Sequence, residues 1–334
     1  MSAGVVTFAL LGAGGIGRLH AETIATYLRG GLLAVVVDPV EAHARAAAAW
    51  SEGARIEPSA EAVLAEAGID AVVIASPTRT HAQLIEAAAA AGKHVFCEKP
   101  IALTLEDARR AASAAVASGT VLQIGFQRRF DAAYVAARDT AVRGELGAIE
   151  LLASTTRDPT GPAPGYLASC GGMFLDTAIH DFDSIRFLSG EEVVEVYATA
   201  SSLVTPEREG PYEIDTSVTL LRMASGALAT VTNSLRSGYG YEAGAELYGS
   251  RGKIAIRGED GAGLRRYGAG GVTVAYPQTY RQRFAEAYRN ELADFVRCIA
   301  EGAEPRASGE DGVRALAIGL AATRSQREGR ALRI

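Results

Sequence analysis

The chain has 334 residues, 48% of them hydrophobic and 22% charged, with a formal charge of −6. At roughly 150 residues per domain this length predicts two domains, each large enough to fold around its own core without staples. The composition excludes a disordered chain. Three cysteines (Cys97, Cys170 and Cys298) cannot build a disulfide framework, the acidic balance leaves no footprint for nucleic acid, and no apolar run reaches the ~18 residues of a membrane span.

At the start, Val5–Leu11 is short, lacks a charged flank and runs into a glycine loop, so it reads as a strand and not as a secretion signal. With the free cysteines, this predicts a cytoplasmic protein. Through residue 125 short apolar runs alternate with Ala-rich helical stretches. Strands are expected at Thr7–Leu11, Leu33–Val37, Ala71–Ala75, His94–Cys97 and Val121–Ile124. Helices are expected at Ile16–Leu28, Glu41–Trp50, His81–Ala91 and Thr104–Ser118. The strands are apolar on both faces, as in a buried parallel sheet, and the βα alternation predicts a doubly wound α/β domain over residues 1–125.

After Gln127 the pattern changes. A helix is expected at Asp131–Arg143, a strand at Ile149–Thr156, a Pro/Gly loop from Asp158 to Gly165, and one helix over Met173–Leu188. Six Thr/Val-rich strands follow: Val193–Ser201, Ser217–Arg222, Ala227–Ser234, Ala243–Tyr248, Lys253–Arg257 and Val272–Tyr276. A Pro/Glu-rich edge loop, Ser202–Tyr212, separates the first two, and helices near Arg283–Ala300 and Glu310–Arg327 close the chain. Consecutive strands without helices between them predict an α+β domain over residues 126–334, with a large, open, mostly antiparallel sheet.

Gly12-Ala13-Gly14-Gly15-Ile16-Gly17 follows the first strand and opens the first helix, the context that gives G-x-G-x-x-G its meaning. Gly12 makes the tight turn, Gly14 lets the backbone approach a diphosphate, and Gly17 lets helix and strand pack closely. The anion then lies on the helix N-terminus. Asp38, 21 residues after Gly17, can accept hydrogen bonds from ribose hydroxyls and repel a 2′-phosphate, which favours NAD over NADP. Two further loops leave strands at the carboxyl edge where such sheets bind ligands. One is Ser76-Pro77-Thr78-Arg79-Thr80-His81, the other Glu98-Lys99-Pro100. His81 either contacts the cofactor or caps its helix.

Lys99 draws notice because only three of the 33 basic residues are lysine, the others being Lys93 and Lys253. Partial desolvation beside a cationic nicotinamide ring should lower the pKa of Lys99, which could then bind a substrate hydroxyl as the ammonium or deprotonate it as the amine. In Asp176-Thr177-Ala178-Ile179-His180 the acid and the imidazole stand at i and i+4 and share one helical face. An imidazole suits proton removal from an alcohol. Taken alone, the pattern also fits a helix-face ion pair or, with Asp183, a metal site; without a second histidine no metal is expected.

The glycine loop, Glu98-Lys99-Pro100 and Asp176…His180, in that order, resemble the glucose–fructose oxidoreductase / inositol dehydrogenase / MocA (Gfo/Idh/MocA) family over nearly the whole chain. Gly125-Phe126-Gln127-Arg128-Arg129-Phe130-Asp131, Phe174–Asp183, Tyr239-Gly240-Tyr241 and Arg283–Tyr288 are similar to its inositol-dehydrogenase branch. The resemblance implies a Rossmann domain and a second domain that binds substrate and assembles a tetramer through its sheet. It implies NAD-linked oxidation of a secondary hydroxyl of a cyclitol, foremost myo-inositol to a ketoinositol. Rival substrates are scyllo-inositol, an aldose or anhydrosugar, and an aminocyclitol; the rival of another class is a non-catalytic NAD-binding sensor. Lys99, Asp176 and His180 are the implied catalytic group, and Arg129, Asp158, Thr177, Tyr239 and Tyr241 the implied further substrate contacts. Thr156 stands where this branch often has histidine.

Overall fold

The computed structural model describes residues 4–163, 165–204, 214–257 and 265–334. The chain forms two compact units. One is built from the residues up to Gln127 with Tyr288–Leu316, the other from Arg128–Ala287 with Ala317–Ile334.

In the first unit β1 (Val6–Leu11), α1 (Gly15–Thr26), β2 (Gly31–Val37), α2 (Glu41–Ala48), β3 (Arg55–Glu57), α3 (Ala60–Leu64), β4 (Ala71–Ile74), α4 (His81–Ala90), β5 (His94–Cys97), α5 (Leu105–Ser118) and β6 (Leu122–Ile124) alternate in sequence. The six strands are all parallel, in the order β3-β2-β1-β4-β5-β6. The order reverses between β1 and β4, the switch point where doubly wound sheets bind ligands. β4 is buried at every residue, which explains why its sequence carries no alternation. Thr104 starts α5 by accepting the Asp107 N–H, and Gly119 ends it in the left-handed region at φ 69°.

The second unit contains α6 (Ala132–Val142), β7 (Ile149–Arg157), α7 (Tyr166–Cys170), α8 (Met173–Asp176), α9 (Ile179–Ser189), β8 (Val193–Ser201), β9 (Thr216–Met223), β10 (Leu228–Ser234), β11 (Glu242–Gly249), β12 (Gly252–Ile256), β13 (Arg265–Gly268), β14 (Gly271–Val274), α10 (Tyr280–Arg283), α11 (Ala285–Glu301), α12 (Gly309–Glu328) and β15 (Leu332–Arg333), the last part of α11 and the first part of α12 belonging to the first unit. Seven strands form one sheet in the order β12-β11-β7-β10-β9-β8-β15. In this sheet, among the described residues, only β7 and β10 pair in parallel. β9 and β10 form an antiparallel hairpin, with Gly226 at φ 95° in its turn. Most of the Ser202–Tyr212 segment lies outside the described residues.

The register sorts the sheet's two faces. Leu247, Leu152, Ala229, Leu221 and Val196 form one cross-strand row, and Ala243, Thr156, Asn233 and Ser217 another, all turned inward. Tyr248, Leu151 and Leu228 lie in one row on the opposite face, and Leu220 and Tyr197 in the next, all exposed.

Two expectations change. The segment 288–316, assigned by sequence to the second domain, joins the first unit, because Leu292 and Phe295 of α11 are buried against Phe8, Leu10, Val73 and Phe96. The single helix over Met173–Leu188 is two helices. Thr177 and Ala178 both donate to the Met173 carbonyl, at 2.9 and 3.0 Å, and Asp181 and Phe182 both donate to that of Ala178. The five-residue bond to Met173 widens one turn and resets the ladder there.

Candidate active site

The cofactor cradle follows from glycine sterics. Gly12 lies at φ 97°, and a Cβ there would stand 2.5 Å from the Ser76 nitrogen; one at Gly17 would stand 2.0 Å from the Gly12 carbonyl oxygen. At Gly14 a Cβ would meet nothing within 4 Å. The first and third glycines therefore serve the protein's own packing, and the second faces the open space where a diphosphate fits. Gly14 is the N-cap of α1 and has no side chain to cap its first turn, which leaves the positive helix end available to an anion. Asp38 leaves the end of β2 and braces this loop: its Oδ2 accepts the Ala13 N–H at 2.6 Å and its Oδ1 the Val40 N–H at 2.8 Å. One carboxylate thus holds the turn at the end of the second strand. Asp38→Ala should raise the NAD dissociation constant roughly 10-fold or more and narrow the preference for NAD over NADP, since a hydrogen bond to a charged group contributes ~1.5–3 kcal/mol. Calorimetric titration with both nucleotides checks this; an unchanged NAD affinity would remove Asp38 from the site.

The two loops at the strand ends are tied together by His81. Its Nδ1 lies 2.8 Å from the Pro100 carbonyl oxygen and its Nε2 2.8 Å from that of Ser76. Both partners are acceptors, so each contact calls for a ring N–H; burial lowers the pKa and the two carbonyls oppose that shift. His81 thereby braces Ser76-Pro77-Thr78 against Glu98-Lys99-Pro100. Ser76 and Thr80 share a hydroxyl hydrogen bond of 2.7 Å within the first of these loops. The Lys99–Pro100 peptide is cis, and the Lys99 N–H donates to Glu98 Oε2 at 3.3 Å. Lys99 itself is half-buried.

Asp176 and His180 belong to the second unit, on either side of the turn that separates α8 from α9. Both are half-buried, and Thr177 between them is buried. The Tyr166 hydroxyl lies 3.4 Å from Asp176 Oδ1. His180 is placed by its neighbour. Asp181 is fully buried and accepts from Arg128 Nη1 (2.7 Å), Ser154 Oγ (2.6 Å), Thr156 Oγ1 (2.8 Å) and Asn233 Nδ2 (2.7 Å). Successive residues on a helix stand ~100° apart, so clamping Asp181 to the inner face of the sheet turns His180 away from it. Sequence reading missed this network. Its only trace is polar residues at inward positions of otherwise apolar strands, namely Ser154, Thr156 and Asn233. Thr156, at the position where this branch often carries histidine, is thus committed to Asp181.

The remaining expected substrate contacts divide by environment. Arg129 donates from Nε and Nη2 to both oxygens of Asp183, at 2.9 and 2.7 Å; Asp183 is therefore bound to arginine. Asp158 is half-buried past the end of β7, its N–H donating to the Ser234 carbonyl. Tyr239 is exposed, stacks edge-on against Tyr276 at 5.0 Å and donates to Glu242; burial first and that carboxylate second push its pKa up to about 12. Tyr241 is buried edge-on against Phe284, and burial raises its pKa.

A glycine cradle at the switch point of a parallel sheet, with an acid at the end of the second strand, defines a nicotinamide-dinucleotide-binding domain, here followed by a mixed sheet that carries further polar groups. Residues 6–126 match the oxidoreductase family with an NAD-binding Rossmann fold, and residues 134–255 match the GFO/IDH/MocA C-terminal domain. The chain belongs to the Gfo/Idh/MocA family, and is an NAD-dependent oxidoreductase acting on CH–OH groups. It is 40% identical to an inositol 2-dehydrogenase of Rhizobium meliloti over 331 residues, covering 98% of this chain and 99% of the relative. It is 35% identical to the scyllo-inositol 2-dehydrogenase (NAD(+)) of Bacillus subtilis over 330 residues, 97% of this chain and 95% of the relative. The crystal structure of a myo-inositol dehydrogenase from Lactobacillus casei in complex with NAD(H) and myo-inositol superposes with a TM-score of 0.89 at 27% identity, covering 99% of this chain and 97% of that one. Among the described residues no helix is long and apolar enough to cross a membrane.

Proposed function

We propose that this enzyme oxidises a secondary hydroxyl of a cyclitol, foremost myo-inositol, to the ketoinositol. The observation that carries the reading is similarity to an inositol 2-dehydrogenase over essentially the full length of both chains, with Lys99, Asp176 and His180 all present. When bound, NAD supplies the hydride acceptor. His180 takes the hydroxyl proton as general base, Asp176 orients the imidazole, and the Lys99 ammonium binds the substrate oxygen and stabilises its growing negative charge. Lys99 and His180 titrate as a coupled pair, so the alternative order within this reading has Lys99 as the neutral amine taking the proton first. Arg129, Asp158, Thr177, Tyr239 and Tyr241 surround the polyol in this reading.

The test is NADH formation, read at 340 nm, with myo-, scyllo- and chiro-inositol, glucose, xylose, levoglucosan and an aminocyclitol. The expected result is the highest kcat/KM with myo-inositol. A higher value with another polyol moves the substrate. Silence across the panel with NAD binding intact favours a substrate outside the panel or a non-catalytic sensor. The scyllo reading has its own support in the Bacillus subtilis relative. Epimers can separate readily, because one unpaired buried polar group costs ~1–3 kcal/mol.

We also propose a cytoplasmic homotetramer assembled through the second sheet. The exposed row of Tyr248, Leu151 and Leu228 and its neighbours Leu220 and Tyr197 supports that assembly, since a contiguous apolar face of this kind marks an interaction surface. The three reduced, buried cysteines suit a reducing compartment. Light scattering on a sizing column should give four times the chain mass, and Leu220→Glu with Leu228→Glu should lower it. A monomeric mass for the native protein would sink the assembly.

A further inference from the structure

Behind Lys99 lies a buried cluster that the reaction does not use. His20 of α1 is fully buried, its ring edge-on to Phe96 and Tyr288 at 5.1 and 6.1 Å. Its Nε2 lies 2.7 Å from Glu98 Oε1, and the other carboxylate oxygen of Glu98 accepts the Lys99 N–H. Gly125 lies over the same carboxylate; a Cβ there would stand 3.1 Å from it. Glu291 of α11 is the third member. It is fully buried, places a carboxyl oxygen within 4.8 Å of the ligand atoms of His20 and Glu98, and neither of its oxygens has a hydrogen-bond partner. Its backbone carbonyl accepts from Gln123 Nε2 of β6 at 2.7 Å, which fixes the helix at this residue.

An unpaired, ionised carboxylate beside a second carboxylate is not tolerable in such a place. A metal ion or a proton would relieve it, and the geometry separates the two. The 2.7 Å between His20 and Glu98 is a hydrogen-bond length, whereas two ligands ~2.0–2.1 Å from one tetrahedral zinc stand about 3.3 Å apart. We propose that Glu291 holds a proton at neutral pH, directed toward Glu98, and that this buried acid pair with His20 fixes the Glu98-Lys99-Pro100 turn, making Glu291 a positioning residue for Lys99. Burial, and then the charge of Glu98, push the Glu291 pKa in the same direction, well above the ordinary carboxyl value. The titratable groups facing Glu291 are Glu98 from the end of β5 and His20 from α1; β6 presents the neutral Gln123.

The folded chain carries a proton on Glu291 that the unfolded chain releases above its ordinary pKa. Folding therefore takes up one proton, and stability falls as pH rises through that window. Glu291→Gln keeps the shape and loses the titration. Denaturant unfolding of native protein and Glu291→Gln across pH 5.5–8.5 should show the native folding equilibrium weakening relative to the variant by up to tenfold per pH unit. The infrared difference spectrum between the two should contain one protonated-carboxyl band. Glu291→Ala should lower kcat more than it changes the NAD dissociation constant, with Glu291→Gln restoring it. Parallel pH–stability curves for native protein and Glu291→Gln, a missing carboxyl band, or about one equivalent of bound metal lost in Glu291→Gln would each overturn the proposal. The stability and infrared readings need no substrate, so they stand even if the polyol panel is silent.

Discussion

His180→Ala and Lys99→Ala should each lower kcat with the best polyol by about 10²–10⁴-fold, the range set by removing a positioned acid–base group. NAD affinity should stay within about threefold in His180→Ala, because the dinucleotide cradle is built from β1, α1 and β2 of the first unit and His180 belongs to the second. Asp176→Asn should fall between these variants and the native enzyme, since it spoils the orientation of the imidazole and leaves the base in place. The double variant Lys99→Ala/His180→Ala should lose far less than the product of the two single losses, as groups that serve one proton transfer act as a unit. Stopped-flow measurement of NADH formation reads the chemical step directly. Near-native rates in both single variants would remove these residues from the chemistry. A loss seen only in KM would reassign them to binding.

The parallel domain was legible because each of its signals is local. A buried parallel strand such as Ala71–Ile74 must be apolar on both faces, and a glycine loop between strand and helix has only one common geometry. The Asp176–His180 spacing was legible as a motif but not as a shape. Two N–H groups share the Met173 carbonyl, and that depends on how the turn packs, which a 3.6-residue period cannot express. The return of Leu292 and Phe295 to the first unit was equally hidden. Their helix shows an apolar stripe, and a stripe does not say which core it meets. Least legible were the buried polar groups, because their meaning lies in partners far along the chain. Asp181 meets Asn233 across 52 residues and Gln123 meets the Glu291 backbone across 168.

Those buried acids also show why environment and not residue type decides charge. Asp181 receives an arginine and three neutral donors, enough to hold an ionised carboxylate away from water. Glu291, equally buried, receives none, so the neutral acid is the form its surroundings allow. One carboxylate anchors through charge, the other through a proton; Asp181 adjoins His180 in the chain, and Glu291 reaches Lys99 only through Glu98.

The anchoring role of Asp181 makes Asp181→Ala the substitution with the largest expected cost in stability, about 3–5 kcal/mol, the range for removing one partner of a buried ion pair. Arg128 would keep its charge with no carboxylate beside it, although it is fully buried. Ser154 and Asn233 would lose an acceptor, and Thr156 would keep only its bond from Arg128 Nη2 at 2.7 Å. Asp181→Asn should cost less, because an amide oxygen still accepts from part of the set. Repairing the charge alone should fall short: Arg128→Met/Asp181→Leu removes the unpaired guanidinium but still strands the sheet hydroxyls and the Asn233 amide. Denaturant unfolding of the three variants ranks them. At temperatures where Asp181→Asn remains folded, its kcat should drop while NAD affinity holds, since the first turn of α9 carries His180 and its tie to the sheet is what has been loosened. An Asp181→Ala variant within about 1 kcal/mol of native stability would mean that the sheet and α9 hold together by apolar packing alone, and that the position of His180 does not depend on this network.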